Sequence, residues 1–354
     1  SQTVDSAADA AASVGSAKAG AVICLKAGTY AGLTLAGAHS GGVTIEAVPG
    51  QRVTLTTGAR DSHGQDVAVL VEANASGVVI QGFWIRGEVE LSMGDSSIRV
   101  DHNDITGGPY GIELASEDCH VPNAPQWGGC GATAKITDAT ISGNRIHDIG
   151  GPTGDDAINA NNYVNLRVTG NDLYGMHEGG NHTDCLQSTF GGSGLVFDHN
   201  YEHDNNCQGF FTKDGDVTDA VLYDNLFLRD QIDHEPEGNL NIINVYDLTI
   251  RRNTSLPDTA DIIRDLGSAR PPRAAVDHNV FDIFASGCCD DPARFQLTES
   301  HNIFWQQPDS FRLGPADQVA HPRFADPRVD DYRLVRNPYG IGVDWSPVDQ
   351  HYGP

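Results

Sequence analysis

The sequence predicts an all-β solenoid, a single domain built coil upon coil, and three observations carry that expectation. First, an asparagine returns within segments that can be laid over one another: RVDHNDI, TISGNRI, RVTGNDL, VFDHNY, LYDNLF, TIRRNT, AVDHNVF and ESHNIF. These are Asn103, Asn144, Asn171, Asn200, Asn225, Asn253, Asn279 and Asn302, spaced 41, 27, 29, 25, 28, 26 and 23 residues apart. Second, β-branched and other apolar residues flank each asparagine, and self-similarity at such a period marks stacked supersecondary units. Third, no Gly/Ser-rich or charged linker divides the chain. A side-chain amide at a bend tolerates left-handed backbone, and stacked amides can bond to one another along the axis.

The elements follow in order. Residues 5–16 are Ala-rich and read as a short helix that would cover the open backbone of the first coil, an edge strand otherwise. This makes residues 1–20 an N-terminal cap. Strand-like runs recur at 21–25, 33–35, 43–47, 53–55, 67–71 and 78–80, opening a solenoid expected over 21–310. The long gap between Asn103 and Asn144 holds one coil plus an insertion at 116–134, which Cys119 and Cys130 would close as a disulfide loop. Cys185 and Cys207 fall on consecutive coils and can also pair, whereas Cys24, in the apolar run AVICL, reads as a small core residue. Beyond Asn302 the pattern gives way to Pro-rich segments, so 311–354 is expected to wrap or cap the last coil.

Composition limits the function. The chain has 48 acidic and 22 basic residues, a formal charge of −26, which argues against nucleic acid and anionic membranes as partners. No apolar run approaches the ~18–20 residues that cross a bilayer. Cysteines with plausible local pairings suit an oxidising compartment, and Ser1 suits a chain whose leader has been removed. A secreted monomer is expected.

Within the coils a second strand aligns as DAINAN (156–161), DCLQST (184–189), QGFFTK (208–213), NIINVY (241–246) and DIIRDL (261–266). Alternation turns Ile158, Leu186, Phe210, Ile243 and Ile263 inward. A bend column then holds Asp156, Asp184, Gln208, Asn241 and Asp261. A mid-strand column holds Asn159, Gln187, Phe211, Asn244 and Arg264, and a far column Asn161, Thr189, Lys213 and Tyr246. Coils stack about 4.8 Å apart, so Asp156 and Asp184 would face each other with Asp155 and His182 beside them. Two such carboxylates need either a cation between them or a retained proton. The first arrangement is a Ca²⁺ site of oxygen ligands, the second an acid/base pair. Lys213 is one of only four lysines. In this alignment it lies five positions from the bend column, ~16 Å along an extended strand. His177, His182, His203, His234 and Glu235 crowd the loops entering these strands.

The Ala-rich cap followed by VICLKAGTY, the repeated asparagine coils and the ending RFADPRVDDYRL resemble the pectate-lyase-like superfamily of polysaccharide-degrading enzymes. The resemblance covers residues 1–335 and implies a right-handed parallel β-helix acting on a polysaccharide. For a lyase on an acidic glycan, it implies Lys213 as base, with Arg264, His182 and Asp184 completing the catalytic set. It implies Ca²⁺ held by Asp155, Asp156 and Asp184. Asn159, Gln187, Phe211, Asn244, Tyr246, His234 and Glu235 would line the substrate groove. A polygalacturonase-type hydrolase using Asp156 and Asp184 is the alternative, and a non-catalytic carbohydrate-binding solenoid is a third reading. An uronate lyase must remove the proton α to a carboxylate, which calls for a base and a cation to hold the enediolate charge.

Overall fold

The structure, a computed structural model, describes residues 1–61, 64–114, 134–150, 156–176, 183–205, 207–213, 215–228, 237–264, 273–287, 296–308 and 313–354. It is a parallel β-helix. One sheet has twelve strands, running from Gln2–Val4 through Ala21–Leu25 and Ala38–Ala47 to Gln296–Ser300. A second, larger sheet holds most of the other strands of the coils, and all coil-to-coil pairings are parallel. The predicted cap is the helix Ala7–Gly15, opened by Ser6, whose hydroxyl accepts the Asp9 N–H at 3.0 Å. Its buried Ala10 and Val14 join the interior of the first coils.

Parallel register turns sequence alternation into stacks of like residues. Along the twelve-stranded sheet, Ile23, Ile45, Ile80, Val100, Ile141, Val168, Phe197, Leu222, Ile250 and Val276 lie on one another inside the coil. The next stack reads Leu55, Ile85, Ile105, Ile146, Leu173, Glu202, Phe227, Ser255 and Phe281. Glu202 is thus a carboxyl between Leu173 and Phe227 in an otherwise apolar stack, and Ser255 is the other interruption. Cys24 is buried but turned out of the interior, with Sγ 3.6 Å from the Glu46 carboxylate, because Ile23 and Leu25 take the inward positions of that strand.

The eight asparagines form one continuous ladder. Each Nδ2 from Asn103 to Asn279 donates to the Oδ1 of the next asparagine at 2.8–3.1 Å. The same Oδ1 also accepts the backbone N–H of the preceding asparagine. The remaining amide hydrogen goes to a strand carbonyl such as Ile80 O or Val168 O. The sequence does not announce the terminator: Asp317 Oδ1 accepts from Asn302 Nδ2 at 3.1 Å and from its N–H at 2.7 Å. An acceptor-only carboxylate ends a chain of amides without leaving a donor unmatched.

After the last coil the chain turns back along the solenoid. Gly342 N–H reaches His278 O, Val343 N–H the Thr254 hydroxyl, Trp345 Nε1 the Asp224 carbonyl, and Gly353 N–H the Gly143 carbonyl. Val343 and Trp345 cover Tyr201, Leu226, Leu228 and Leu256 on the outer face of the sheet, a second apolar cluster. The Pro-rich region therefore straps several coils rather than only the last.

Candidate active site

The strands Ile158–Val164, Asp184–Ser193 and Gln208–Lys213 pair as the sequence suggests. Ile158, Leu186 and Phe210 stack inward, while Asn159, Gln187 and Phe211 share the outward mid-strand column and Asn161, Thr189 and Lys213 the far column. Asp156 and Asp184 stand at the bend, both buried. Their oxygens serve neighbouring donors. Asp156 Oδ1 accepts the Asp184 N–H at 3.0 Å, and its Oδ2 accepts Asn159 Nδ2 at 2.7 Å. Asp184 Oδ2 accepts Gln187 Nε2 at 2.6 Å. Asn161 Nδ2 donates to Asn159 Oδ1 at 2.6 Å, and the Thr189 hydroxyl donates to Asn161 Oδ1. The side chains of Asp156, Asn159, Asn161 and Thr189 thus form one chain of hydrogen bonds from the bend to the residue beside Lys213. That network spans the distance that separates Lys213 from the bend carboxylates, and Lys213 itself does not fold back.

Beyond Lys213 the register departs from the sequence alignment. Phe211 pairs with Asn241, not Asn244, so the next strand is shifted by three residues. Leu240 and Ile242 take interior positions, and Ile243 sits outward, in register with Arg264. Asn244 occupies a left-handed corner with φ 54°, the place taken by Asn162 and Phe190 in earlier coils. Tyr246 lies past that corner, paired with Thr218 and buried, so it leaves the groove column. Asn241 moves from the bend to the mid-strand column, and Asp261 uses its carboxylate on the Leu240 N–H at 2.9 Å. The segment NLNIINV offers an asparagine in either register, and the left-handed corner decides between them.

Arg264 changes columns as well. Ile243 pairs with Arg264, and continuing the Phe211–Asn241 register by two residues, past the Thr212 hydroxyl that bonds the Ile243 backbone, sets Lys213 on the same outward row. By that continuation Lys213 and Arg264 fall two coils apart on one row. Lys213 Nζ lies 5.2 Å from the centre of the Phe211 ring, and among the described residues it makes no ion pair or hydrogen bond. Asp155, His177, His182, His234 and Glu235 lie outside the described residues. His203 is held on another face between Asp172, at 3.0 Å, and Asp204, at 2.8 Å.

Sequence reasoning missed three acids. Glu90 and Glu113 pair directly, and Glu113 pairs with Asn159, so they extend the mid-strand column toward the N-terminal coils. Both are buried, as is Glu88. Burial, reinforced by the charge and hydrogen bond of Glu113, pushes Glu88 up to about 10, so it keeps its proton at neutral pH. The signal was present in the repeated triplets Val89-Glu90-Leu91 and Ile112-Glu113-Leu114. The outward face thus grades from buried acids through amides to an aromatic ring and two cations.

Glu202 lies beneath this face. A Cβ at Gly209 would come within 2.4 Å of its Oε2, so the bend of the strand Gln208–Lys213 rests on the carboxyl. Its Oε1 is buried with no hydrogen-bond partner. Burial, then the charge of Asp184, holds its pKa well above the carboxylate range.

Of the three aspartates of the expected calcium set, Asp155 lies outside the described residues, while Asp156 and Asp184 stand on consecutive coils. Among the described residues no group of three or more His, Cys, Asp or Glu side chains is placed to hold a metal ion. Asp156 divides its two oxygens between a backbone N–H and an amide, which is the ordinary work of an aspartate at a bend.

No family model matches the chain, and no curated protein matches it in sequence. Solved structures do. Pectate lyase Pel9A aligns with a TM-score of 0.46 and 14% identity over 95% of this chain and 82% of its own. An alginate lyase from Paenibacillus sp. str. FPU-7 gives 0.48 and 12% over 90% and 97%. A PL6 alginate lyase complexed with trisaccharide gives 0.46 and 13% over 99% and 95%. At these values the likeness does not reach the chemistry, which has to come from this chain's own residues.

Proposed function

We propose that the chain is a secreted polysaccharide lyase that cleaves a uronate-containing glycan by β-elimination. The observation that carries this reading is the placement of Lys213 and Arg264 in one outward column, with Lys213 free of any carboxylate partner among the described residues. In a chain with more than twice as many acids as bases, a lysine with no ion pair among the described residues, beside a row of amides and an aromatic ring, suits an acidic ligand. Lys213 takes the C5 proton of the uronate. The electron pair left on carbon forms the C4–C5 double bond as the C4–O bond breaks, and the leaving oxygen gains a proton. Arg264 holds the carboxylate and the charge that develops on it. Phe211 supplies an apolar face for a sugar ring, and Asn159, Gln187 and Asn241 supply hydrogen bonds to hydroxyls. His182, which lies outside the described residues, and Asp184 complete the catalytic set that the sequence suggests. Asp156 and Asp184 position the amides, and no step is assigned to calcium.

The disulfide between Cys185 and Cys207 suits an oxidising compartment. No described helix is long and apolar enough to cross a membrane. The test is a panel of pectate, alginate, glucuronan and neutral glycans, following ultraviolet absorbance of unsaturated ends and reducing ends together. Both should rise on one polyuronate and fall at least about a hundredfold in Lys213→Ala. Reducing ends without absorbance would make the protein a hydrolase, and binding without products would make it a carbohydrate-binding solenoid.

A further inference from the structure

A cavity of about 620 Å³ opens on a different corner of the solenoid, away from the row that carries Lys213. Three adjacent coils build it, and Pro354 of the returning strap also lines it. Glu46, Gln81 and Asp101 are in register at the ends of their strands in the twelve-stranded sheet, and Arg52, Trp84 and His102 follow across the turns. The guanidinium of Arg52 lies flat over Trp84, 4.1 Å from the ring centre. Its stacking on the indole is its one side-chain interaction among the described residues, and none of them accepts from its five N–H donors.

The nearby carboxylates are already engaged. Glu46 accepts Gln81 Nε2 at 2.6 Å and faces the Cys24 thiol. Asp101 accepts the Ser142 hydroxyl and Arg99 at 2.9 Å, and lies 3.0 Å from His102 Nδ1. A pre-oriented planar fork with no acid to bind matches a carboxylate bidentately. The half-buried indole and the apolar wall of Ala47 and Val48 offer a surface for the C–H face of a ring. Gln81, His102 and Glu46 offer hydrogen-bonding atoms at the rim. The volume falls within the range that encloses small ligands.

We infer that this corner is a second, non-catalytic saccharide site, in which Arg52 binds the carboxylate of a uronate and Trp84 receives its ring. The choice of sugar acid rests on the proposed function, but the geometry of the site does not. It would tether a polymer while the groove acts on another stretch of it, since two linked sites raise local concentration.

The test is calorimetric titration with trimers of galacturonate, mannuronate and glucuronate, with neutral trimers and inorganic phosphate as controls. Arg52 is exposed, so Arg52→Ala should fold normally. It should weaken binding of the preferred uronate trimer by about tenfold or more. Arg52→Lys should recover part of that loss, and Trp84→Phe should weaken binding less than Arg52→Ala. Lys213→Ala should leave this binding intact, and Arg52→Ala should leave cleavage of short substrates unchanged, which separates this site from the groove. If the chain cleaves no polyuronate, Arg52-dependent binding of a uronate trimer would still uphold the site. Uronate binding unchanged in Arg52→Ala, or neutral trimers or phosphate binding as tightly, would overturn it.

Discussion

Replacing Asn200 tests the ladder at its middle. Its Oδ1 accepts the N–H and Nδ2 of Asn171, both at 3.0 Å, and its Nδ2 donates to Val168 O at 3.0 Å and Asn225 Oδ1 at 3.1 Å. Asn200→Ala leaves two buried donors without partners, the Asn171 N–H and one Asn171 amide hydrogen, while the parallel ladder still supplies the Val168 carbonyl with a strand N–H. Asn225 Oδ1 keeps the N–H of residue 200, at 2.9 Å. At about 1–3 kcal/mol per orphaned group the loss is about 2–6 kcal/mol, and a water entering the vacated volume brings the expectation to about 2–4 kcal/mol. Asn200→Asp separates shape from donor chemistry. It keeps the acceptor but turns an oxygen toward Val168 O and Asn225 Oδ1, so it should cost more than alanine at pH 7. In mild acid, where the carboxyl regains a proton, it should cost less. Urea unfolding followed by circular dichroism, with each variant referred to wild type at the same pH, gives the values. A loss below about 1 kcal/mol for alanine, or no penalty for aspartate at pH 7, would refute the ladder as a source of stability.

Three further expectations follow from ionisable and covalent features. Burial opposes protonation of His147 and His203, but hydrogen bonds to the carboxylates of Asp104 and Asp148, and of Asp172 and Asp204, together with their charge, outweigh it and raise both pKa values. Their stabilisation is complete below ~6.5 and is lost as pH rises through the folded values, so Tm should fall from pH 6 toward pH 9. Glu88 and Glu202 act in the same direction, since the folded chain keeps protons that the unfolded chain releases above ~4.3. Glu202→Gln should therefore flatten the pH dependence of stability by up to about 1.36 kcal/mol per pH unit; a Tm that climbs between pH 5 and pH 8 would contradict both statements. Reducing the disulfide between Cys185 and Cys207, which are 22 residues apart, should lower stability by about 3 kcal/mol, read as a shifted urea midpoint.

Much of this architecture was legible because it depends on period. A parallel stack repeats one residue's environment in every coil, so Asn103 through Asn302 could be aligned by eye, and Ile158, Leu186 and Phe210 fell inward by alternation alone. Legibility ended where the period broke. Between Phe211 and Asn241 a longer connection intervenes, and Asn239, Asn241 and Asn244 give three plausible anchors. Only the positive φ at Asn244 identifies the corner, and backbone conformation is not written in residue type when asparagine suits both settings. The same slip hid the shared column of Lys213 and Arg264. The acids Glu90 and Glu113 escaped notice because burial on an outward face depends on neighbouring loops, which a strand pattern does not reveal. Asp156 and Asp184 were placed correctly at the bend, yet their hydrogen bonds to Asn159, Gln187 and a backbone N–H depend on rotamers that spacing cannot specify.

The returning strap alters how such a stack comes apart. In a simple solenoid each coil touches only its neighbours, so the ends fray and the middle persists, and unfolding proceeds in steps. Here the contacts of Gly342 with His278, Trp345 with Asp224, and Gly353 with Gly143 tie together coils far apart in sequence. Fraying of the C-terminal coils must pull the strap away from coils near the N-terminal half, exposing Tyr201 and Leu226 at the same moment. Distant coils are therefore thermodynamically coupled, and the repeat should melt in fewer and sharper transitions than a nearest-neighbour chain of the same length. The cost is kinetic: the strap's contacts join residues more than a hundred positions apart, a loop closure that has to wait for the stack to exist.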